Sequence, residues 1–200
     1  MSTQALISQH LFSALAGTEL PGWDDFAASV RVRVRCVERG AQVFGQGVPH
    51  PYVYVLRRGL LKLVYLSDTG DDWIKSFIAE GQFFASLAAL VPGGKTSFLA
   101  EAIEATEVEQ LDYRELGPRA DASLPWQRTL SQALLIYGTR KEARERELLT
   151  LSPTERYRAF LRHSPGVAER VLQRDLARYL GVTPVSLSRL KARVNAVPAP

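Results

Sequence analysis

The stretch LQRDLARYLGVTPVSLSRLKAR, Leu172 to Arg193, cannot run as one continuous helix. Gly181 weakens a helix interior, and Pro184 lacks the amide hydrogen that an interior position must donate. Both residues fit a tight corner between two helices, where glycine supplies a positive φ. Thr183 can cap the second helix, and Pro184 can take its first position, where a missing N–H costs nothing. With Gln173 as the first position, Leu176, Leu180, Val182, Leu187 and Leu190 fall where two crossing helices must bury aliphatic side chains. Ala177 falls where the helices touch and little beyond a methyl group fits.

A second helix over Pro184 to Arg193 leaves Val185, Ser188, Arg189 and Ala192 on its free face. In a major groove, Arg189 fits a bidentate contact to guanine O6 and N7, and Val185 fits a thymine methyl. Thr183, Ser186, Ser188, Lys191 and Arg193 are expected mostly at phosphates, with Pro184 at the start of the same surface. The alternative is a structural helical hairpin.

Charge is distributed unevenly. Residues 128–193 hold 14 Lys/Arg against 6 Asp/Glu, a balance of +8, while the rest holds 11 against 15, a balance of −4. A basic C-terminal third suggests a polyanionic partner, although arginine-rich helices are often merely solvated. Cys36 is the single cysteine, so a disulfide framework, a cysteine-rich zinc site and an iron–sulfur cluster are excluded. That suits a reducing, cytoplasmic setting. The start, MSTQALISQHLFSALAG, has no basic region before an apolar run, so no secretory signal is expected. No run approaches ~18 apolar residues, so no membrane span is expected.

Residues 1–29 read as short helices interrupted at Pro21-Gly22. From Val30 the period changes. VRVRVRC alternates strictly and predicts a strand with Val30, Val32, Val34 and Cys36 on one face. AQVFGQG, YVYVLRRG, LLKLVYLSDTG, DWIKSFIAEGQFF and FLAEAIEATEVEQLDY follow, punctuated by glycines. Residues 30–113 supply roughly eight such runs, which argues for an antiparallel barrel or jelly roll. The pattern then turns helical. From Pro125 to Leu151 only Gly138 interrupts, and Trp126, Leu130, Leu134, Tyr137 and Leu148 recur at three- and four-residue steps, broken by Lys141 and Arg144. A helix of about 27 residues is long for a small domain and suits pairing with a symmetry mate. It would otherwise lie across its own barrel. Ser152, Pro153 and Glu155 spell a capping box, RHSPG a turn, and NAVPAP a disordered tail.

The chain therefore reads as α+β: an N-terminal antiparallel β jelly roll or barrel, a long dimerisation helix and a C-terminal helix-turn-helix. The boundaries are 1–124 for a sensor domain, 125–151 for the helix, 152–195 for the DNA-binding domain and 196–200 for the tail. Over residues 25–195 this resembles the Crp/Fnr family of bacterial transcription regulators. The resemblance rests on the alternating strand, YVYVLRRGLLKLVY, IAEGQFFASLAAL, the long helix and RDLARYLGVTPVSLSRL. It implies a cyclic-nucleotide-binding-like sensor, a homodimer through residues 125–151, and double-stranded DNA and RNA polymerase as partners.

Three departures qualify what the resemblance implies. Nucleotide-binding members carry a Gly-Glu pair after the phenylalanine and an Arg-Ser or Arg-Thr pair for the phosphate. Here Ala85-Ser86 and Lys95, Thr96, Ser97 stand instead. A lysine offers a point charge and no bidentate fork, so cyclic AMP is not expected to bind in the usual way. An unknown small-molecule effector would meet Phe83, Phe84, Ser86, Leu87, Lys95, Thr96 and Ser97, unless the barrel is closed. Second, one cysteine cannot hold the family's oxygen-sensing cluster, and His10 and His50 are lone candidates for haem. Third, no β-hairpin wing is expected after Val194, and Pro184-Val185 replaces the usual Arg-Glu, so only Arg189 is carried over as a base reader.

The main expectation is a homodimeric, sequence-specific DNA-binding regulator with no cofactor. A small-ligand module acting through protein partners is the alternative. An enzyme of the cupin type needs clustered His and Glu ligands; His10, His50 and His163 show no HxH spacing, and no metal site or catalytic set stands out.

Overall fold

The computed structural model describes residues 6–29, 32–70 and 72–196, with only the backbone of 195 and 196. Eight strands run β1 (Arg33–Val37), β2 (Gln42–Phe44), β3 (Tyr52–Arg58), β4 (Leu61–Leu66), β5 (Asp72–Ile78), β6 (Phe83–Phe84), β7 (Leu99–Ala102) and β8 (Thr106–Asp112). They form two antiparallel four-stranded sheets, ordered β1-β8-β3-β6 and β2-β7-β4-β5. Apart from the β4–β5 hairpin, successive strands alternate between the two sheets, as in a jelly roll. Phe44, Tyr54, Leu56, Leu63, Phe84, Phe98 and Val108 fill the space between the sheets. Gly59 makes the turn by which β3 crosses to β4 in the other sheet, at φ +99°; a Cβ there would stand 2.8 Å from the Ala105 carbonyl oxygen.

The alternating opening strand is turned the other way round from a valine-in reading. Val34 is 44% exposed and Cys36 is also exposed, while Arg35 and Val37 face the barrel. Arg35 is tolerated inward because its guanidinium donates to the Gln110 side chain, to Tyr54 Oη and to the Val43 carbonyl. Val30 lies outside the described residues.

Helices α1 (Ile7–Ala16) and α2 (Trp23–Ser29) cover the outer face of the first sheet. Phe12, Trp23, Phe26 and Trp126 make one aromatic cluster there. No side chain of the cap residue Leu6 serves the first amides of α1. Instead the buried Glu109 carboxylate accepts from the Ile7 and Ser8 amides, both at 2.8 Å, and from Arg57 Nη1 at 2.6 Å. A carboxylate at a helix N-terminus meets both the orphan donors and the positive end of the dipole.

A one-turn helix α3 (Leu87–Leu90) follows β6, and α4 (Leu116–Ala122) leads to α5 (Leu124–Thr150), one residue earlier at each end than the sequence predicts. Along α5 the apolar stripe divides. Trp126 is buried and Leu130 and Tyr137 are half-covered, but Leu134 and Leu148 are exposed, as are Leu135 and Leu149 beside them. Then come α6 (Pro153–His163), α7 (Pro165–Ala168), α8 (Gln173–Leu180) and α9 (Pro184–Ala196). The capping box of Ser152 and Glu155 forms as its spacing predicts. RHSPG holds a turn of helix rather than a plain turn, and α9 runs beyond Arg193 to Ala196, the first residue of the predicted disordered tail; residues 197–200 lie outside the described residues.

Candidate nucleic-acid interface

Helices α8 and α9 meet at Gly181, whose φ is +68°. The Gly181 amide donates to the Arg178 carbonyl and the Val182 amide to that of Ala177, which closes the end of α8. Thr183 Oγ1 accepts from the Ser186 amide at 3.2 Å and so caps α9. Leu176, Ala177, Leu180, Leu187 and Leu190 are buried, and Val182 packs half-covered against them. Arg156 of α6 fastens the corner from behind, donating to the carbonyls of Leu180 and Leu151.

The outer face of α9 is correspondingly free. Val185 is 62% exposed, and Thr183, Pro184, Ser186, Ser188, Arg189 and Arg193 are exposed beside it, with Lys191 half-covered. Among the described residues no ion pair or hydrogen bond engages the Arg189 guanidinium. Sequence reading brings all of these onto one surface, and the structure places them there.

The same unit is docked on the β2-β7-β4-β5 sheet through contacts that sequence reading missed. Phe77 of β5 meets Phe160 and Tyr179. Lys62 Nζ lies 2.9 Å from Glu101 and 3.4 Å from the buried Asp175 of α8. Arg170 hydrogen-bonds both Glu80 and Glu104, and Arg178 pairs with Asp72. A cleft of about 330 Å³ opens here, lined by Arg39, Lys62, Glu101, Arg170, Arg174 and Asp175 among others. The Arg170 hydrogen bonds hold Glu80 down at about 2 and Glu104 below the usual carboxylate range. Depressed carboxylates contribute stability that is present above their unfolded pKa, so this docking weakens as pH falls below about 4.

The expected effector residues are placed differently from an open pocket. Phe84 is buried, its ring stacked on Tyr54 and Phe44. Ser86 Oγ accepts from the Ser97 amide at 3.0 Å, and Thr96 Oγ1 donates to the Gly45 carbonyl at 2.6 Å. Phe83 and Leu87 are half-covered, and Lys95 is exposed. The polar groups thus satisfy one another and aromatic rings fill the interior, so this barrel is closed where a ligand was expected. The residues do not fit a cyclic nucleotide: the serine at the ribose position is buried and engaged, and Lys95 points to solvent's side of the loop without a guanidinium fork. His50 packs among Phe44, Tyr52 and Tyr54, its Nε2 2.7 Å from Tyr54 Oη. Burial and nearby Arg35 push its pKa down. Among the described residues no cluster of three or more His, Cys, Asp or Glu could hold a metal ion, and no helix is long and apolar enough to cross a membrane.

A long helix joins the jelly roll to the helix-turn-helix, and residues 34–117 match the cyclic nucleotide-binding domain family. The fumarate and nitrate reduction regulatory protein of Escherichia coli is 26% identical over 172 residues, spanning 80% of this chain and 68% of its own. The corresponding Vibrio cholerae protein is 26% identical over 175 residues, with the same coverage. FixK2 from Bradyrhizobium japonicum superposes with a TM-score of 0.74 at 23% identity, over 82% of this chain and 85% of its own. The c-di-GMP-responsive regulator CLP from Xanthomonas campestris gives 0.68 at 17%, over 88% and 91%. Across most of its length the chain is thus similar to transcriptional regulators of the Crp/Fnr type.

Proposed function

We propose that the chain acts as a homodimeric, sequence-specific reader of double-stranded DNA, with α9 in the major groove. The observation that carries this reading is the two-sidedness of α9: Leu187 and Leu190 are buried behind it while Arg189 and Val185 stand free in front. Arg189 then reads a guanine, Val185 meets a thymine methyl, and Thr183, Pro184, Ser186, Ser188, Lys191 and Arg193 fix the register along the phosphates.

Pairing is supported by α5. Its exposed leucine pairs 134/135 and 148/149 are 14 residues apart, two heptads, which suits a seam between two parallel copies. Residues 1–124 would serve as the sensor, 125–151 as the dimer helix and 152–195 as the reader. The two α9 helices would enter successive major grooves roughly 34 Å apart on a near-palindromic site. A usual cyclic-nucleotide response is not part of this reading, since Phe84, Ser86, Leu87, Lys95, Thr96 and Ser97 offer no open site.

Arg189→Ala tests the reader. On a duplex selected by the wild-type chain it costs about 1–3 kcal/mol of binding free energy and relaxes one base position per half-site. Wild-type affinity also falls steeply with salt as counterions are released. Unchanged specific affinity in Arg189→Ala removes that residue from the reading role.

A further inference from the structure

Helix α5 meets the barrel at two cation–ring contacts: its Arg140 lies over Phe83 at 5.8 Å, and its Tyr137 faces Lys75 of β5. Ile74 of β5 is buried on the sheet's outer side against Tyr179, and its neighbour Lys75 is the extra residue of a β-bulge opposite Leu63 and Val64. The Lys75 ammonium stands 5.2 Å from the centre of the Phe98 ring and 5.3 Å from that of Tyr137 on α5. Tyr65 of β4 packs edge-on against the same Phe98 at 6.0 Å. Among the described residues no carboxylate pairs with Lys75. The charge beside it is a like one, Lys141, four positions after Tyr137 on α5; with burial it pushes the Lys75 pKa down.

An ammonium taken from water without a counterion is unfavourable unless something else attracts it. Here two aromatic faces do, both within the ~6 Å over which a ring quadrupole attracts a cation. One face belongs to the barrel and the other to the long helix. Phe98 directly follows Thr96 and Ser97, so the contact lies at the edge where a diffusible effector was expected.

We propose that Lys75 is an internal ligand: its ammonium occupies a cation site formed by Phe98 and Tyr137 and thereby fixes α5 on the barrel without a diffusible effector. The chemical class the site takes is a primary alkylammonium. The same geometry explains how a closed barrel can still hold its long helix in a defined position. Only the DNA measurement below rests on the proposed function.

The test is chemical rescue in the full-length chain. Lys75→Ala empties the site, and n-butylammonium chloride at tens of millimolar is the probe. Hydrogen exchange of the amides of residues 133–140 reads the tether directly. Exchange there rises roughly tenfold in Lys75→Ala, the factor expected for losing partly desolvated cation–π contacts. Affinity for a selected duplex falls by a similar factor. n-Butylammonium restores both toward wild type, while sodium chloride at equal ionic strength and 1-butanol do not. Lys75→Met keeps the bulk of the stem, so it shows the same loss without rescue and separates charge from packing.

Wild-type exchange in Lys75→Met overturns the proposal, and so does rescue by 1-butanol equal to that by n-butylammonium. A wild-type chain that binds no duplex refutes the DNA reading instead, and the exchange measurement then decides the tether.

Discussion

Glu109→Ala lowers the stability of the β domain by about 3–5 kcal/mol in a denaturant titration, the range for breaking a buried ion pair by removing one partner. Glu109 is fully buried, and Arg57 beside it is nearly so. Removing the carboxylate takes away the 2.6 Å partner of Arg57, with Glu107 at 4.0 Å, and leaves the Ile7 and Ser8 amides without their acceptor. The loss extends beyond the strand, because α1 packs on α5 and Thr129 of α5 donates to the Phe12 carbonyl of α1. Glu109→Gln keeps an acceptor oxygen without the charge, so it loses less. A change below about 1 kcal/mol in Glu109→Ala would mean that the carboxylate is solvated and α1 is anchored elsewhere.

Leu187→Ala destabilises the helix-turn-helix unit by about 2–5 kcal/mol, the range for truncating a well-packed core leucine. Leu187 is fully buried among Leu176, Ala177 and Leu180, and α9 has few other apolar contacts holding it to α8. Once α9 loses its angle, the base-reading residues no longer address one groove, so duplex binding is lost with the packing. Val185→Ala on the opposite face is the control: it stays within about 0.5 kcal/mol in stability. Equal destabilisation by the two substitutions would show that α9 is not packed through its Leu187 face.

The features legible in the sequence are those written into single segments. The Gly181–Pro184 corner, the aliphatic spacing from Leu176 to Leu190 and the Ser152–Glu155 capping box are local chemistry, and each appears as its spacing requires. The eight short strands follow from period and punctuation. The contacts hidden from sequence reading join positions far apart. Nothing near Glu109 in the chain announces that it caps α1, and nothing near Lys62 announces Asp175. Arg35 shows the same limit: a strict alternation identifies two faces of a strand but not which one turns inward when an arginine can find Tyr54 and Gln110. The effector residues were placed by resemblance to a pocket, while Phe44, Tyr54 and Phe84 close that space through contacts between different strands. Nothing near Lys75 in the chain announces Tyr137, whose approach gives the lysine its role.

The most direct measurement of the central claim is selection of bound duplexes from random DNA by the wild-type chain and by Arg189→Ala in parallel. The wild type should enrich near-palindromic sites with half-site centres about one helical turn apart. Arg189→Ala should enrich the same spacing with one guanine-bearing position per half-site relaxed. No enrichment by the wild type, or an identical base preference in both selections, would contradict the assignment of α9 as the reading helix.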